Sequence, residues 1–182
     1  FSQKTADSIL ESMAFLASNA SKLRIDKAIE TSNEILNILK QDHETVVEVG
    51  QVARQCEVAD LLQFMVIKDS FGAVKVPIGL FDQDIKNSSP NVWRGYFNEM
   101  KIPIEIEKVN QRDFVQKQFI RNSSEDHLKY QNENGVTLLE HVLAKSFETE
   151  TEIYHSFGSN FIIPAMREGH FEFEYNHPME DI

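Results

Sequence analysis

Cysteine is nearly absent: the 182 residues contain one, Cys56, so the chain has no intramolecular disulfide framework and no cysteine-rich zinc site. Glycine and proline are sparse, at 7 and 5. Neither G-x-G-x-x-G nor G-x-x-x-x-G-K occurs, which argues against Rossmann and P-loop use of a nucleotide, and no G-x-S-x-G elbow marks a serine hydrolase. No apolar run approaches the roughly 18 residues that span a bilayer. Basic residues are in deficit, with Lys+Arg 18 against Asp+Glu 29 and a net charge of −11. Binding to a duplex phosphate backbone needs Lys and Arg to release condensed counterions, so nucleic acid is not an expected partner.

What remains is a chain that can fold. Its 41% hydrophobic and 10% aromatic content exceeds that of a disordered polymer and predicts a soluble globular protein. The charge is uneven, and the segment 148–182 is strongly acidic. Such a segment suits a basic protein surface, although a solvated acidic face has the same composition. The lone cysteine fits a reducing compartment, and the expected location is intracellular, in the cytoplasm. The chain opens on Phe1 rather than Met, which leaves room for a removed upstream segment.

Residues 1–49 hold no Gly or Pro, and of all the aromatic residues only Phe1 and Phe15 precede position 61. Both facts favour helix at the start. Ile9, Met13, Leu16, Ala20 and Leu23 predict a first helix over about 4–23. Ala28, Ile29, Ile35, Leu36 and Leu39 predict a second, and Val46, Val49, Val52, Ala53, Cys56 and Ala59 a third. From Leu61 the pattern shifts. Leu61–Lys68 and the alternating Val74, Val76, Ile78 and Leu80 predict a hairpin around Asp69–Gly72. Ser89-Pro90 predicts a helix start running on through Met100. Ile102, Ile104 and Ile106 predict a half-buried strand whose Glu105 and Glu107 face solvent, with a further strand over 113–120. Thr137 and Glu140 have capping-box spacing and predict a helix over about 137–147. Phe161–Ile163 and Phe171, Phe173 and Tyr175 predict short strands.

Three constellations bear on chemistry. Cys56 lies on the apolar stripe of the expected third helix, where a thiol packs as a small hydrophobe rather than serving as a nucleophile. On a strand, His170, Glu172 and Glu174 share one face. His170, Glu172 and His177 are therefore candidate metal ligands, imidazole and carboxylate being the donors that zinc and iron accept. The third constellation is spread along the chain in Val92-Trp93-Arg94-Gly95-Tyr96, Phe119-Ile120-Arg121-Asn122-Ser123-Ser124 and Glu172-Phe173-Glu174. Over these few short fragments the sequence resembles, in order, the arginine, serine and Glu-x-Glu elements of mono-ADP-ribosyltransferases. That resemblance implies that Arg94 holds the phosphates of NAD, Ser124 braces the nicotinamide side and Glu174 stabilises an oxocarbenium ion.

The expected architecture is α+β, with an N-terminal helical unit of about three helices over 1–60. An α+β domain over 61–182 follows, with an antiparallel sheet of four to six strands, two further helices and an acidic C-terminal segment. The expected function is a non-enzymatic protein-interaction module: an adaptor, a chaperone-like or immunity-type binding protein, or a domain of a larger assembly. No cofactor is assigned. The expected partner is a protein, of basic character, with no nucleic acid or membrane, and a homodimer through the N-terminal helices is a further expectation. The alternative is an enzyme of the ADP-ribosyltransferase kind, or a metal-binding domain built on the C-terminal His and Glu residues.

Overall fold

A computed structural model describes residues 7, 9–14, 22–67, 74–99 and 101–174. The chain is α+β and divides into two compact units, Phe1–Gln111 and Arg112–Ile182, rather than at the compositional break near 60. The reason is strand pairing, because the segment Val46–Val49 belongs to the same sheet as Leu62–Ile67 and Ile102–Val109.

In the first unit, helix α1 spans Ile25–Leu39 and buries Ala28, Thr31, Ser32, Ile35 and Leu39, the stripe that a 3.6-residue period places on one face. Asp26 in its first turn suits the positive end of the helix dipole. Of the expected first helix, residues 9–14 are helical and the remainder lies largely outside the described residues. The expected third helix is replaced by strand β2, Val46–Val49, a turn and strand β3, Val58–Ala59, which pairs with β1, Leu23–Arg24. Three valines in four positions favour the pleated backbone over a helix. Gly50 then ends β2 at φ +79°, and a Cβ there would collide with the Gln63 side chain. Cys56 therefore sits after a turn, half-buried, and not on a helical stripe.

Strands β4 (Leu62–Ile67), β5 (Phe81–Gln83), β6 (Val92–Phe97) and β7 (Ile102–Val109) complete a five-stranded sheet in the order β2-β4-β7-β6-β5. The β4–β7 pair is parallel and the others antiparallel, so the sheet is mixed rather than antiparallel throughout. Val74–Leu80 forms no strand opposite β4, and the expected turn at 69–72 lies outside the described residues. The expected Ser89-Pro90 helix is instead a turn: Ser89 and Val92 exchange both backbone hydrogen bonds, at 2.8 and 3.2 Å, and β6 follows. Pro90 is pre-set for the first central position of such a turn, and Val, Trp, Tyr and Phe favour the strand. Leu62, Phe64, Val66, Trp93, Phe97, Ile102, Ile104 and Ile106 form the core with α1.

The second unit is helical: α2 (Phe114–Arg121), α3 (Glu125–Leu128), α4 (Leu138–Ala144) and α5 (Glu150–Phe157). The strand expected over 113–120 is α2, which buries Gln116, Phe119 and Ile120 at helical spacing. The capping box on α4 forms as its spacing predicts, with Thr137 Oγ1 accepting from the Glu140 N–H at 3.1 Å and Glu140 accepting from the Thr137 N–H at 2.8 Å. Thr149 caps α5 in the same way, accepting from the Glu152 N–H at 3.2 Å. Gln116 reaches the end of α4 and donates to the Val142 and Lys145 carbonyls. Phe119, Leu138, Val142, Ile153, Tyr154, Phe157, Ile162 and Phe173 are buried. Neither strand expected after 160 forms: 161–174 holds one 3₁₀ turn, Pro164–Met166, and otherwise irregular backbone.

Candidate functional site

Each unit encloses a polar cluster. In the first, sheet register aligns Gln63, Glu105 and Arg94 across β4, β7 and β6. All three therefore point to the face opposite the Ile104 and Ile106 rows. Arg94 and Glu105 are each 1% exposed. Arg94 Nε donates to Glu105 Oε2 at 2.7 Å, one terminal nitrogen donates to the Asn87 carbonyl at 2.8 Å, and the other to Ser12 Oγ at 3.3 Å. Ser12 donates in turn to Glu105 Oε2 at 2.6 Å, and Gln63 donates to Oε1 at 3.0 Å. The expected solvent exposure of Glu105 and Glu107 does not hold, because both are buried. Alternation along β7 separates two covered faces rather than a dry one from a wet one. On the α1 side, Ser32 donates to Glu48, and burial pushes the Glu48 carboxyl above its usual range despite that bond.

In the second unit the cluster is built on His127, Tyr154, Arg167 and Glu172. His127 is held in the short helix α3, which Ser124 caps by accepting from the His127 N–H at 3.1 Å. Its imidazole lies 2.6 Å from Glu172 Oε1 through Nδ1 and 2.8 Å from the Tyr154 hydroxyl through Nε2, with the Phe173 ring stacked at 4.8 Å. Burial lowers the His127 pKa to about 4, aided by the Arg167 charge and opposed by Glu172. The ring is thus neutral near pH 7. An ionised carboxylate only accepts, so the consistent tautomer has Nδ1–H donating to Glu172 and Nε2 accepting from Tyr154. Burial also raises the Tyr154 pKa, which keeps that hydroxyl a donor. Burial pushes the Glu172 carboxyl upward, but hydrogen bonds from His127, its own N–H and the Gly169 N–H hold it below the usual value. Arg167 is fully buried, stacked 4.8 Å over the Phe119 ring, donating to the Ile162 carbonyl at 2.9 Å and to Glu150 at 2.6 Å.

A carboxylate, imidazole and hydroxyl in a chain is an arrangement that activates nucleophiles. Here, however, His127 and Tyr154 are each 0% exposed, so no substrate reaches the hydroxyl. What the network does is hold 161–174 in place without strand pairing: Arg167 ties down Ile162, the Ser124 N–H donates to the Arg167 carbonyl at 3.0 Å, and Glu172 accepts from the Gly169 N–H at 2.7 Å. Gly169 has φ +82°, and a Cβ there would collide with Asp126. Between these anchors the segment displays Phe161, Ile163, Met166 and Phe171, which are 41%, 50%, 54% and 65% exposed. Phe171 holds φ at +65°, uncommon for an aromatic residue. Two clefts flank the stacked pair Tyr130 and Phe173, whose centroids are 3.9 Å apart. One, of about 380 Å³, is bordered by Asn132, His155 and Ser159; the other, of about 280 Å³, by Asp126, Lys129, Phe171, Glu172 and Glu174.

The sequence candidates fall as follows. Arg94 lies on strand β6 of the first unit, its guanidinium occupied by Glu105, Ser12 and Asn87. Ser124 and Glu174 lie in the second unit, Ser124 as a helix cap and Glu174 exposed. Glu172 is buried against His127 while His170 is exposed, so the one-face alternation expected of a strand is absent. His177 lies outside the described residues. Among the described residues, no group of three His, Cys, Asp or Glu side chains is placed to hold a metal ion. Sequence reasoning missed His127, Tyr154 and Arg167. His127 and Glu172 are separated by 45 positions, and only the Ser124 cap, three residues before His127, hinted at local order. Among the described residues no helix is long and apolar enough to cross a membrane. Compared with protein-family models and with curated proteins, the chain matches none of them.

Proposed function

We propose that this chain is a non-enzymatic protein-interaction module that meets a basic protein partner through the segment 161–174. The observation that carries this reading is the alternation within that segment: buried Ile162, Arg167, Glu172 and Phe173 anchor it while Phe161, Ile163, Met166 and Phe171 face outward. Apolar side chains presented on an irregular segment, fixed from beneath, are the ingredients of a preorganised interface core. The exposed Glu148, Glu152 and Glu174, together with the net charge of −11, supply acidic character and an electrostatic preference for a cationic surface.

The test is affinity capture from lysate of the source cells, comparing the wild-type chain with a Met166→Ser/Phe171→Ser variant of unchanged thermal midpoint. A partner retained by the wild type, lost by the variant and weakened by added salt is the expected result. Identical capture by the two chains would overturn the reading.

A further inference from the structure

We propose that the 280 Å³ cleft beside Phe171 and Glu174 takes a single long cationic side chain, arginine or lysine, from that partner. This rests on the interaction reading above and names its recognition chemistry. The first observation is an unmet acceptor. Glu172 contributes to the cleft wall, its side chain is 3% exposed, and its Oε2 has no hydrogen-bond partner although Oε1 accepts from both His127 and Gly169. A buried carboxylate oxygen left unpaired is costly, and an incoming N–H donor removes that cost. The second is charge. Asp126, Glu172 and Glu174 border the cleft against one ammonium, Lys129, which is paired with Glu125 at 2.5 Å. The third is the wall itself: the flat Tyr130–Phe173 stack and the outward Phe171 offer ring faces to a cation. A volume just under the roughly 300–1,000 Å³ of small-molecule sites suits one extended side chain rather than a nucleotide.

Arginine has the better match, because a planar guanidinium stacks on rings and still presents donors at its edge. The probe is therefore N-acetylarginine amide, titrated into the full chain and followed by backbone amide NMR. The neutral isostere N-acetylcitrulline amide serves as control, and N-acetyllysine amide, charged at its side chain, as the second cation. The expected result is saturable shifts centred on Gly169 and Phe171–Glu174 with both cations, about tenfold weaker for citrulline, which lacks the charge. Glu174→Gln should weaken the arginine response about threefold without disturbing the fold, since Glu174 is exposed. Equal binding of arginine and citrulline amides, no saturation, or shifts centred elsewhere would overturn the cleft assignment. Because this probe is not the partner, failure here with Met166- and Phe171-dependent capture intact removes the cleft and leaves the interface standing.

Discussion

The two units solve the same problem, a buried cation, in different ways. In the first, Arg94 and Glu105 are brought opposite each other by strand register, and every polar atom described at the pair has a partner drawn from neighbouring strands or from Ser12. In the second, Arg167 sits on irregular backbone and is held by a carbonyl, by Glu150 and by aromatic faces, while nearby Glu172 keeps one oxygen unmet. A sheet fixes side chains through its ladder, whereas an irregular segment must be fixed through side chains. The first arrangement closes on itself; the second leaves an apolar surface and an unsatisfied acceptor beside a cleft. That difference is why function is placed in the second unit.

The contrast can be broken most sharply at Arg94. Replacing it with methionine strands Glu105 in a buried site, and removing one partner of such a pair costs about 3–5 kcal/mol. Trp93, the only tryptophan, adjoins Arg94 in the first unit, so its fluorescence in a urea titration reports that loss. A cost below about 1 kcal/mol would show that the pair is not what holds this face of the sheet.

A smaller effect should appear with pH in the second unit. The folded His127 pKa, about 4, lies below its unfolded value near 6.5, so between these limits the unfolded chain takes up a proton that the native chain refuses. Stability falls as pH drops from about 6.5 to 4, by about 3 kcal/mol in all, and the depressed Glu172 carboxyl adds further loss at lower pH. His141, also lowered by burial, acts in the same direction. Denaturant titrations across this range should show the slope, and His127→Gln should flatten it even though it lowers stability at pH 7. An unchanged slope in the variant would assign the acid sensitivity elsewhere.

The smallest effect is local. Thr137→Ala removes one half of the α4 capping box and should cost about 1 kcal/mol, read by hydrogen exchange of the α4 amides. Trp93 fluorescence should not change with it if the units lose structure separately.

How far the sequence foretold this depends on the range of the interactions. Helix α1 and the α4 cap were legible because a 3.6-residue stripe and a Thr-x-x-Glu spacing are local signals, and the isoleucine alternation of β7 is equally local. Ser89-Pro90 misled because one pair of residues opens a helix or a turn equally well, and strand pairing with β7 decided between them. Val46–Val49 was drawn into a helical stripe by Val52 and Cys56, although its partner strand lies beyond a turn. Glu105 was read as wet because nothing nearby in sequence announces Arg94 as its partner. The second cluster was least legible: His127, Tyr154, Arg167 and Glu172 meet only after the helices and the irregular segment have packed.

Hydrogen–deuterium exchange on the full chain, with and without the partner retained through Met166 and Phe171, tests the central claim most directly. The account predicts protection concentrated in 161–174 and around Tyr130, fading as salt is raised. Protection confined to the sheet residues 46–109, with 161–174 unchanged, would contradict it.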